Sequence, residues 1–482
     1  MTSMRWVIRG LGLISTSILA RLLTPADFGL VAMASAFSGL VAVLTQLGVD
    51  TALARDKHAG PAQFNTAWTL RQMQMLGVAL LVLVFSSLAA SYYREPRIEN
   101  ILWVTALTIA VTGFENIGVV DFRRQMQFNK DFLYNVMVKL SGVSVTIVLA
   151  FMFRNYWAMV IGSLISAFSK TILSYVMHPY RPRWSLAAFK ELWSISQWLL
   201  VRGLADALYK KGGVLVLGRF AQASILGVFS VGRDLADMTA EELVAPIFRT
   251  FIPGMSQLID QPKRLRSAFA KALAGVATIG FPITIGLGLV AGEVVPLLLG
   301  NQWHDTIPVI RVLSVASFLV TVGGPLGMVC LLLRDVRYLA ARRWLSAIIL
   351  VAGAAPAFHY QGIVGLSLLL PLTSMIELVA NALRAKKLLG ISALNLFGGL
   401  LRPVVGTLVM ALAVLGVQSV LSAETSIERA LLLATETAAG AVAYMVTVLS
   451  IWYFSAMPDG FERHTVSYAK EIWMKVSGRL HA

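Results

Sequence analysis

Long apolar runs separated by short polar turns fill the chain, and this pattern predicts membrane-spanning helices. A bilayer core requires a helix of about 20 apolar residues. On that basis there are about fourteen candidate spans, at roughly 5–23, 27–48, 66–91, 99–117, 133–153, 156–178, 190–211, 222–252, 267–289, 308–333, 338–358, 362–384, 400–421 and 428–455. The span at 222–252 is the weakest because it contains six charged residues, among them Arg233, Asp234, Asp237, Glu241 and Glu242. The predicted fold class is an all-α membrane protein.

The composition agrees with this fold class. Of the 482 residues, 57% are hydrophobic and only 14% are charged, whereas soluble domains are about 25% charged. The formal net charge of +16 raises the question of nucleic-acid binding. The basic residues, however, form short clusters between apolar runs, as in cytoplasmic loops that flank membrane helices. We therefore expect no nucleic-acid partner.

Alternate loops differ in charge, and this difference predicts the topology. One set is rich in lysine and arginine: Arg55, Lys57, Arg123, Arg124, Lys130, Arg181, Arg183, Lys263, Arg264, Arg266, Arg334, Arg337, Lys386 and Lys387. Because positive loops stay in the cytoplasm, both termini are predicted to be cytoplasmic. The first apolar run leads directly into a second span, so we expect a retained helix rather than a cleaved signal peptide.

Two stretches of the chain resemble each other and suggest an internal repeat. RLLTPADFGLVA occupies 21–32 and RFAQASILGVFS occupies 219–230. Arg219 lies 198 positions after Arg21, and Gly227 lies 198 positions after Gly29. Each stretch joins the first two helices of a group of six, and an even number of helices repeats the direction of entry into the membrane. This favours a parallel repeat about an axis along the membrane normal, although two matched residues leave coincidence open.

Several charged residues fall inside predicted spans, where they normally face a cavity or a partner. In the seventh span Arg202, Asp206 and Lys210 follow i, i+4, i+8 spacing and share one helix face. They form either an internally neutralised stripe or one wall of a polar cavity. Lys211 lies just beyond them.

The other intramembrane candidates carry alternatives as well. Lys139 lies near enough to the end of its span to snorkel, and Lys170 lies deeper. Arg9, in the first span, is either an anchor of the positive-inside kind or a functional cation. The acidic candidates are Asp50, Glu115, Asp206, Asp234 and Asp237. Each either binds a coupling ion or proton, or pairs with a nearby cation.

Motifs for enzymatic chemistry are missing from the sequence. It contains no GxxxxGK[ST], GxSxG or HExxH motif, and we see no loop large enough for a soluble catalytic domain. The single cysteine, Cys330, excludes an internal disulfide framework, and the six histidines are scattered. The sequence therefore predicts a protein that is not an enzyme and that has no cofactor and no metal site.

Seven segments, in their order and spacing, resemble one family. They are ARLLTPADFGLVAMASAF, SYYREP, DFRRQMQFNKDF, YWAMVIGSLIS, LGRFAQASILGVFSVGRDLA, APIFRTFIPGMSQL and LLLGNQWHDTIPVIRVLS. Together they resemble the Wzx-like polysaccharide or lipid-linked oligosaccharide flippases of the MOP exporter superfamily. One departure is that Lys210, Lys211 and two glycines stand where an acidic residue is expected before LVLGRF.

The resemblance implies a domain organisation and a function. It implies pseudo-symmetric six-helix lobes at 1–184 and 185–388 around a central cavity, with helices 13 and 14 at 389–457. The tail at 458–482 has the pattern of a cytoplasmic amphipathic helix, or of a helix packed on the bundle. The implied function is alternating-access transfer of polyprenyl-pyrophosphate-linked oligosaccharides to the outer leaflet of the bacterial inner membrane. Implied partners are this substrate, membrane lipids, and polysaccharide polymerase and export proteins.

A pyrophosphate headgroup is anionic, so cations inside the membrane become candidate contacts for it. These candidates are Arg9, Lys139, Lys170, Arg202, Lys210 and Lys211. Asp206, through Arg202, and Glu115 are the candidates for coupling or gating. We expect Arg202→Ala to abolish glycan export while the protein stays in the membrane.

Two other functions remain open. A multidrug exporter of the same superfamily prefers an acidic cavity for cationic drugs, whereas this interior is more basic. An integral-membrane glycan polymerase or ligase requires positioned carboxylates or a sizeable loop outside the membrane, and the short outer loops argue against it.

Overall fold

The computed structural model describes residues 2–43, 60–189, 196–333, 335–392 and 397–455. Within these ranges, the side chains of 2–5, 196–202, 240–253 and 336 lie outside the description. The predicted tail at 458–482 and Asp50 also lie outside the described residues, as does the side chain of Arg202. Throughout the described ranges the regular structure is helical, with no strand.

Sixteen α-helices make up the described part of the chain. They are α1 (Thr2–Leu22), α2 (Pro25–Val43), α3 (Pro61–Val84), α4 (Ser86–Tyr93), α5 (Arg97–Gly113), α6 (Val120–Arg124), α7 (Phe128–Phe153), α8 (Trp157–Met177), α9 (Ser196–Leu217), α10 (Ala223–Ser256), α11 (Pro262–Leu289), α12 (Ala291–Leu298), α13 (Thr306–Leu332), α14 (Val336–Leu389), α15 (Leu401–Val420) and α16 (Ser426–Phe454). Single 3₁₀ turns lie at Ile117–Val119, Asn301–Trp303 and Gly398–Leu400.

The apolar helices confirm an all-α, multi-pass membrane protein. Nine helices in the described ranges are long and apolar enough to cross a membrane, or ten if the bent pair of Arg97–Gly113 and Ile117–Arg124 is one span. The backbone of α14 leaves helical geometry at Gln361 and Gly362. An unbroken helix of that length would measure about 80 Å, whereas the hydrocarbon core is about 30 Å thick. Two spans therefore meet there, while the count of fourteen stays a prediction.

The chain divides into two compact units. Unit 1 comprises Met1–Val231, Leu298–Trp303 and Arg343–Leu366, and unit 2 comprises Gly232–Leu297, His304–Arg342 and Ser367–Ala482. The predicted lobe boundaries at 184/185 and 388/389 stay predictions.

In unit 1, the polar turn of the TPADFG stretch fixes where two helices begin. Pro25 starts α2, where its missing N–H is not needed. Asp27 is buried, and its Oδ2 accepts hydrogen bonds from the backbone N–H and the hydroxyl of Thr24, at 2.9 and 2.6 Å. Its Oδ1 accepts from the N–H of Tyr156 at 2.9 Å, just before α8. One carboxylate thus satisfies free N–H groups at the starts of both α2 and α8.

Also in unit 1, α2 and α10 cross at the two glycines that mark the sequence repeat. A Cβ on Gly29 would overlap the carbonyl oxygen of Ala223, and a Cβ on Gly227 would overlap that of Pro25. Ala223 stands in the same relation to Pro25 as Gly227 does to Gly29, 198 positions on. A reciprocal contact of this kind is the signature of a two-fold relation between equivalent segments.

Unit 2 is built on α11, which packs against α13 and α15, while α15 packs against α16. Its core includes Phe269, Leu273 and Phe281 of α11 together with Leu326 of α13. A capping box of Thr425 and Glu428 starts α16. Large apolar side chains stay exposed along α15 and α16, as expected of helices that face lipid: Leu408, Leu412, Val420, Leu431, Val442 and Val446.

Candidate functional site

A buried charge cluster lies in unit 1 where α3, α5, α7 and α8 meet. We call Arg71, Glu115, Tyr134 and Lys170 the Glu115 cluster. Glu115 is 3% exposed and follows the end of α5. Its Oε2 accepts from Arg71 and, at 2.8 Å, from Lys170. Its Oε1 accepts from the Tyr134 hydroxyl at 2.6 Å. Two cations and one carboxylate leave a net positive charge.

The bend in the backbone beside Glu115 is held by Asn116. The N–H of Asn116 donates to the Ser174 hydroxyl at 2.8 Å, and its amide group donates to the carbonyl oxygen of Tyr180 at 2.7 Å. Its Oδ1 accepts from the N–H of Gly118 at 2.9 Å, which starts the 3₁₀ turn. These bonds satisfy the backbone groups that the break in the helix releases, so Glu115 is held in place by its neighbour.

Arg9 and Lys139 place two like charges on helices that pack together. α1 packs against α7, and the Lys139 Nζ atom lies 3.9 Å from the position of a Cβ on Gly12. Lys139 is half-buried and interacts repulsively with Arg9, which is exposed. Lys139 forms no ion pair within the part of the chain that the structure describes. Lys139 lies about 17 Å along α7 from Phe128, within a helix that is long and apolar enough to cross a membrane.

The stripe predicted on the seventh span is only partly visible. Asp206 accepts a hydrogen bond from Arg343 Nε at 2.6 Å, and the Arg343 guanidinium lies 4.1 Å from the Tyr209 ring centroid. The partner that the structure describes for Asp206 is therefore Arg343, 137 positions away. Whether Arg202 also contributes lies outside the described side chains. Lys210 and Lys211 are exposed at the other end of the stripe.

The charge pattern predicts that the C-terminal ends of α1 and α9 are external. Each of these two ends is covered by another segment of unit 1. Buried Trp303 donates to the carbonyl oxygen of Ala20 at 2.8 Å, and its ring meets Phe28 edge-on at 5.0 Å. Correspondingly, Arg219 donates to the carbonyl oxygens of Tyr92 at 2.8 Å and Ser91 at 3.2 Å. The segment at 298–303 thus closes the end of α1, and the C-terminal end of α4, at 91–93, closes the end of α9.

An ion pair stiffens the turn that follows α4. Arg97 donates two parallel hydrogen bonds to Glu95, both 2.8 Å long. These bonds hold the pKa of the Glu95 carboxyl below its usual range. Glu95 therefore stays ionised at neutral pH and keeps the SYYREP segment in one geometry.

Sequence reasoning found some members of these sites and missed others. It identified Glu115 and Lys170 separately, and the structure brings them together. It missed Arg71 and Tyr134. In the sequence, the only indication of a role for either residue is its polar group within an apolar helix. In unit 2 it also missed the ion pairs Arg342–Glu377, at 3.6 Å, and Arg384–Asp335, at 2.5 Å. Among the described residues, no cluster of three or more metal-ligating side chains occurs.

The fold of the chain is one that two groups of solved membrane-protein structures share. The chain superposes on the lipid II flippase MurJ, in an inward closed conformation, with a TM-score of 0.75 over 94% of this chain and 99% of that one, at 11% identity. A multidrug resistance MATE family transporter of the MOP superfamily gives 0.62 over 82% and 96%, at 14% identity. At such low identity these likenesses establish the fold alone.

The sequence match establishes the family. Residues 18–308 match the family described as Polysaccharide biosynthesis protein, and the chain belongs to that family. The match runs from the ARLLTPADFG segment into LLLGNQWHDTIP, so the resemblance found in the sequence is confirmed.

Named relatives are similar over much of their length. Lipopolysaccharide biosynthesis protein WzxC of Escherichia coli K12 is 26% identical over 67% of this chain, and the match spans just under two thirds, 66%, of WzxC itself. Succinoglycan biosynthesis transport protein ExoT of Rhizobium meliloti is 23% identical over 65% of this chain and 64% of its own. Teichuronic acid biosynthesis protein TuaB of Bacillus subtilis is 23% identical over 85% and 86%.

Proposed function

We propose that this protein moves polyprenyl-pyrophosphate-linked oligosaccharides from the inner to the outer leaflet of the bacterial inner membrane by alternating access. Support comes from the family, from relatives named for polysaccharide biosynthesis and its transport, and from the fold shared with MurJ. In this proposal both termini are cytoplasmic, and the protein transports without catalysing a chemical change.

The observation that carries the proposal is Lys139, a half-buried cation on α7 that has no ion pair in the part of the chain that the structure describes and that lies near Arg9 of α1. Burial of a charged ammonium group carries a desolvation cost, and a neighbouring cation adds repulsion. A phosphate group beside Lys139 offsets both, because it supplies a negative charge and a charge-assisted hydrogen bond. Such a site therefore suits an anionic headgroup better than a neutral or cationic ligand.

In the proposal, other cations extend the path along which the anionic headgroup moves. Lys170 has a side chain that is 35% exposed, and its ammonium group donates to Glu115 at 2.8 Å. Lys210 and Lys211 present exposed ammonium groups on α9. A pyrophosphate crossing bare hydrocarbon would lose its hydration at great cost. A row of fixed cations replaces that hydration while the polyprenyl tail stays in lipid.

A complementation experiment tests the proposal. In a strain lacking this gene, Lys139→Ala should reduce surface polysaccharide at least about tenfold, in line with the loss of a charged hydrogen bond of about 1.5–3 kcal/mol. Finished lipid-linked units should accumulate on the inner leaflet. Lys139→Arg should restore export, and Lys130→Ala, at the start of the same helix, should leave export unchanged.

The same experiment separates the rival functions. Normal surface polysaccharide in both the deletion strain and Lys139→Ala would reject the proposal. Loss of resistance to cationic drugs without a glycan defect would indicate a multidrug exporter. Incomplete glycan units in the deletion strain would indicate a polymerase or ligase.

A further inference from the structure

The last two helices, α15 and α16, meet the rest of unit 2 around a buried acid. Glu436 of α16 is 0% exposed. One turn further along, a Cβ on Gly440 would lie 2.9 Å from Val414 and 3.3 Å from Met410, both on α15. A carboxyl group in such an apolar setting must find a hydrogen-bond partner or become neutral.

Within the described ranges, the side chains that interact with Glu436 include no cation. Glu436 interacts most directly with Glu293 of α12 and Gln418 of α15. Gln418 donates its amide N–H to the carbonyl oxygen of Leu289 at 3.1 Å. Both carboxyl oxygens of Glu436, and Oε2 of Glu293, are buried and have no hydrogen-bond partner in the described part of the chain. Glu436 is therefore a buried acid whose carboxyl group faces a second acid and one amide group.

Most charged groups on the surrounding helices lie away from Glu436, and Arg311 approaches the residue before Glu293. On α11, Lys263, Arg264, Arg266 and Lys271 lie near its start, and Lys271 is about 27 Å along the helix from Leu289. Arg402 lies in the first turn of α15, at the end away from Gln418. Arg311 of α13 is exposed, with Nη2 3.8 Å from the position of a Cβ on Gly292. On α16 itself, Glu428 and Arg429 lie in the first turn, and Tyr444 donates to the carbonyl oxygen of Thr278 at 2.7 Å.

Two carboxylates this close in an apolar site do not both ionise, because each charge raises the free energy of the other. With one proton between them, one carboxyl group donates a hydrogen bond and the other accepts it. We propose that Glu293 and Glu436 form a proton-binding site in which one shared proton holds α16 against α12. Loss of that proton leaves two facing negative charges and weakens the docking of α15 and α16.

The position of the site near the predicted external side allows it to couple proton binding to transport. Glu293 lies just beyond the end of α11 that the charge pattern predicts to be external, so the proton enters from that side. Proton uptake then couples to the seating of α15 and α16 on unit 2. This use rests on the proposed function, whereas the binding of the proton does not.

Thermal unfolding of the purified full-length protein in lipid nanodiscs tests the site without any transport assay. Only the protonated pair is free of repulsion, so its stabilisation is present at low pH and is lost as pH rises. Wild-type protein should lose at least about 2 °C of melting temperature between about pH 6 and pH 9. Glu436→Gln, which mimics the protonated acid, should flatten this dependence. Glu424→Gln, in the exposed turn before α16, should keep the wild-type slope.

Infrared difference spectra between the same two pH values give a second readout. The carbonyl stretch of a protonated carboxyl group should appear at low pH in wild type and in Glu424→Gln and be absent from Glu436→Gln. If Glu436→Gln fails to assemble, Glu293→Gln should show the same two losses. An unchanged pH slope and an unchanged band in both variants would overturn the proposal. So would a melting temperature that rises with sodium at constant pH, which would assign the site to a metal cation.

Discussion

At the residue scale, the Glu115 cluster shows how buried charges are tolerated in this protein. One carboxylate accepts from two cations and a phenol, so every partner gains a charge-assisted hydrogen bond. Removing the carboxylate takes away the anion that the two cations share. The loss in the free energy of unfolding then exceeds the net stability that the intact cluster contributes.

The cluster predicts an order of destabilisation. Glu115→Gln should lower the free energy of unfolding by about 3 kcal/mol, because Arg71 and Lys170 would then lose the anion that they share. Tyr134→Phe should cost about 1.5 kcal/mol, the contribution of one hydrogen bond to a charged group. Thermal or denaturant unfolding of the purified variants measures both. An equal or larger loss in Tyr134→Phe would show that the phenol, and not the carboxylate, organises the cluster.

The sequence reveals these residues singly but not their partners. Spacing along one helix predicts only contacts between neighbours such as i and i+4. It therefore predicts Arg202, on the same helix, as the partner of Asp206. Its described partner, Arg343, is 137 positions away. Likewise, 55 positions separate Glu115 from Lys170. Pairings of this range depend on how helices pack, which the hydrophobic pattern of each helix does not encode.

At the element scale, the hydrophobic pattern predicts the helices well. Their apolar runs are long, and prolines and capping residues punctuate them at Pro25, Pro61, Pro262 and Thr425. The exact turns are harder to predict, because the bend at Glu115 depends on the tertiary hydrogen bonds of Asn116. The repeat found in two short stretches becomes a physical contact at Gly29 and Gly227.

The glycine crossing predicts a contrast between two substitutions in α2. Gly29→Ala should destabilise the protein by about 1–3 kcal/mol, because the new methyl group meets backbone that cannot move aside. Gly39→Ala has open space around it and should be neutral or stabilise by up to about 1 kcal/mol. Melting temperatures of the two variants make the comparison. A Gly29→Ala variant as stable as Gly39→Ala would refute the close approach of α2 and α10.

At the scale of the whole molecule, the proposed alternating access requires the external helix ends to separate during the cycle. The turn at Leu298–Trp303 closes the end of α1, with the Ser17 hydroxyl donating to the carbonyl oxygen of Leu298. The C-terminal end of α4, at 91–93, closes the end of α9 by accepting hydrogen bonds from Arg219. These contacts are therefore the ones that must break if substrate leaves on that side.

A reversible cross-link tests this requirement. In a Cys330→Ala background, Ser17→Cys with Leu298→Cys should cross-link under oxidation or with a short bifunctional thiol reagent. Surface polysaccharide should stop appearing while the link is intact and should return on reduction. Each single-cysteine variant serves as the control and should export throughout. Undiminished export by fully cross-linked protein would mean that this turn stays closed during transport.

The central claim is that cations at membrane depth in unit 1 bind the phosphate groups of a lipid-linked glycan. The most direct measurement is the affinity of purified protein in nanodiscs for a polyprenyl-pyrophosphate oligosaccharide, compared among wild type, Lys139→Ala and Lys139→Arg. We predict at least about a tenfold weaker affinity for Lys139→Ala, equivalent to about 1.4 kcal/mol, and near wild-type affinity for Lys139→Arg. Equal affinity in all three proteins would contradict the central claim.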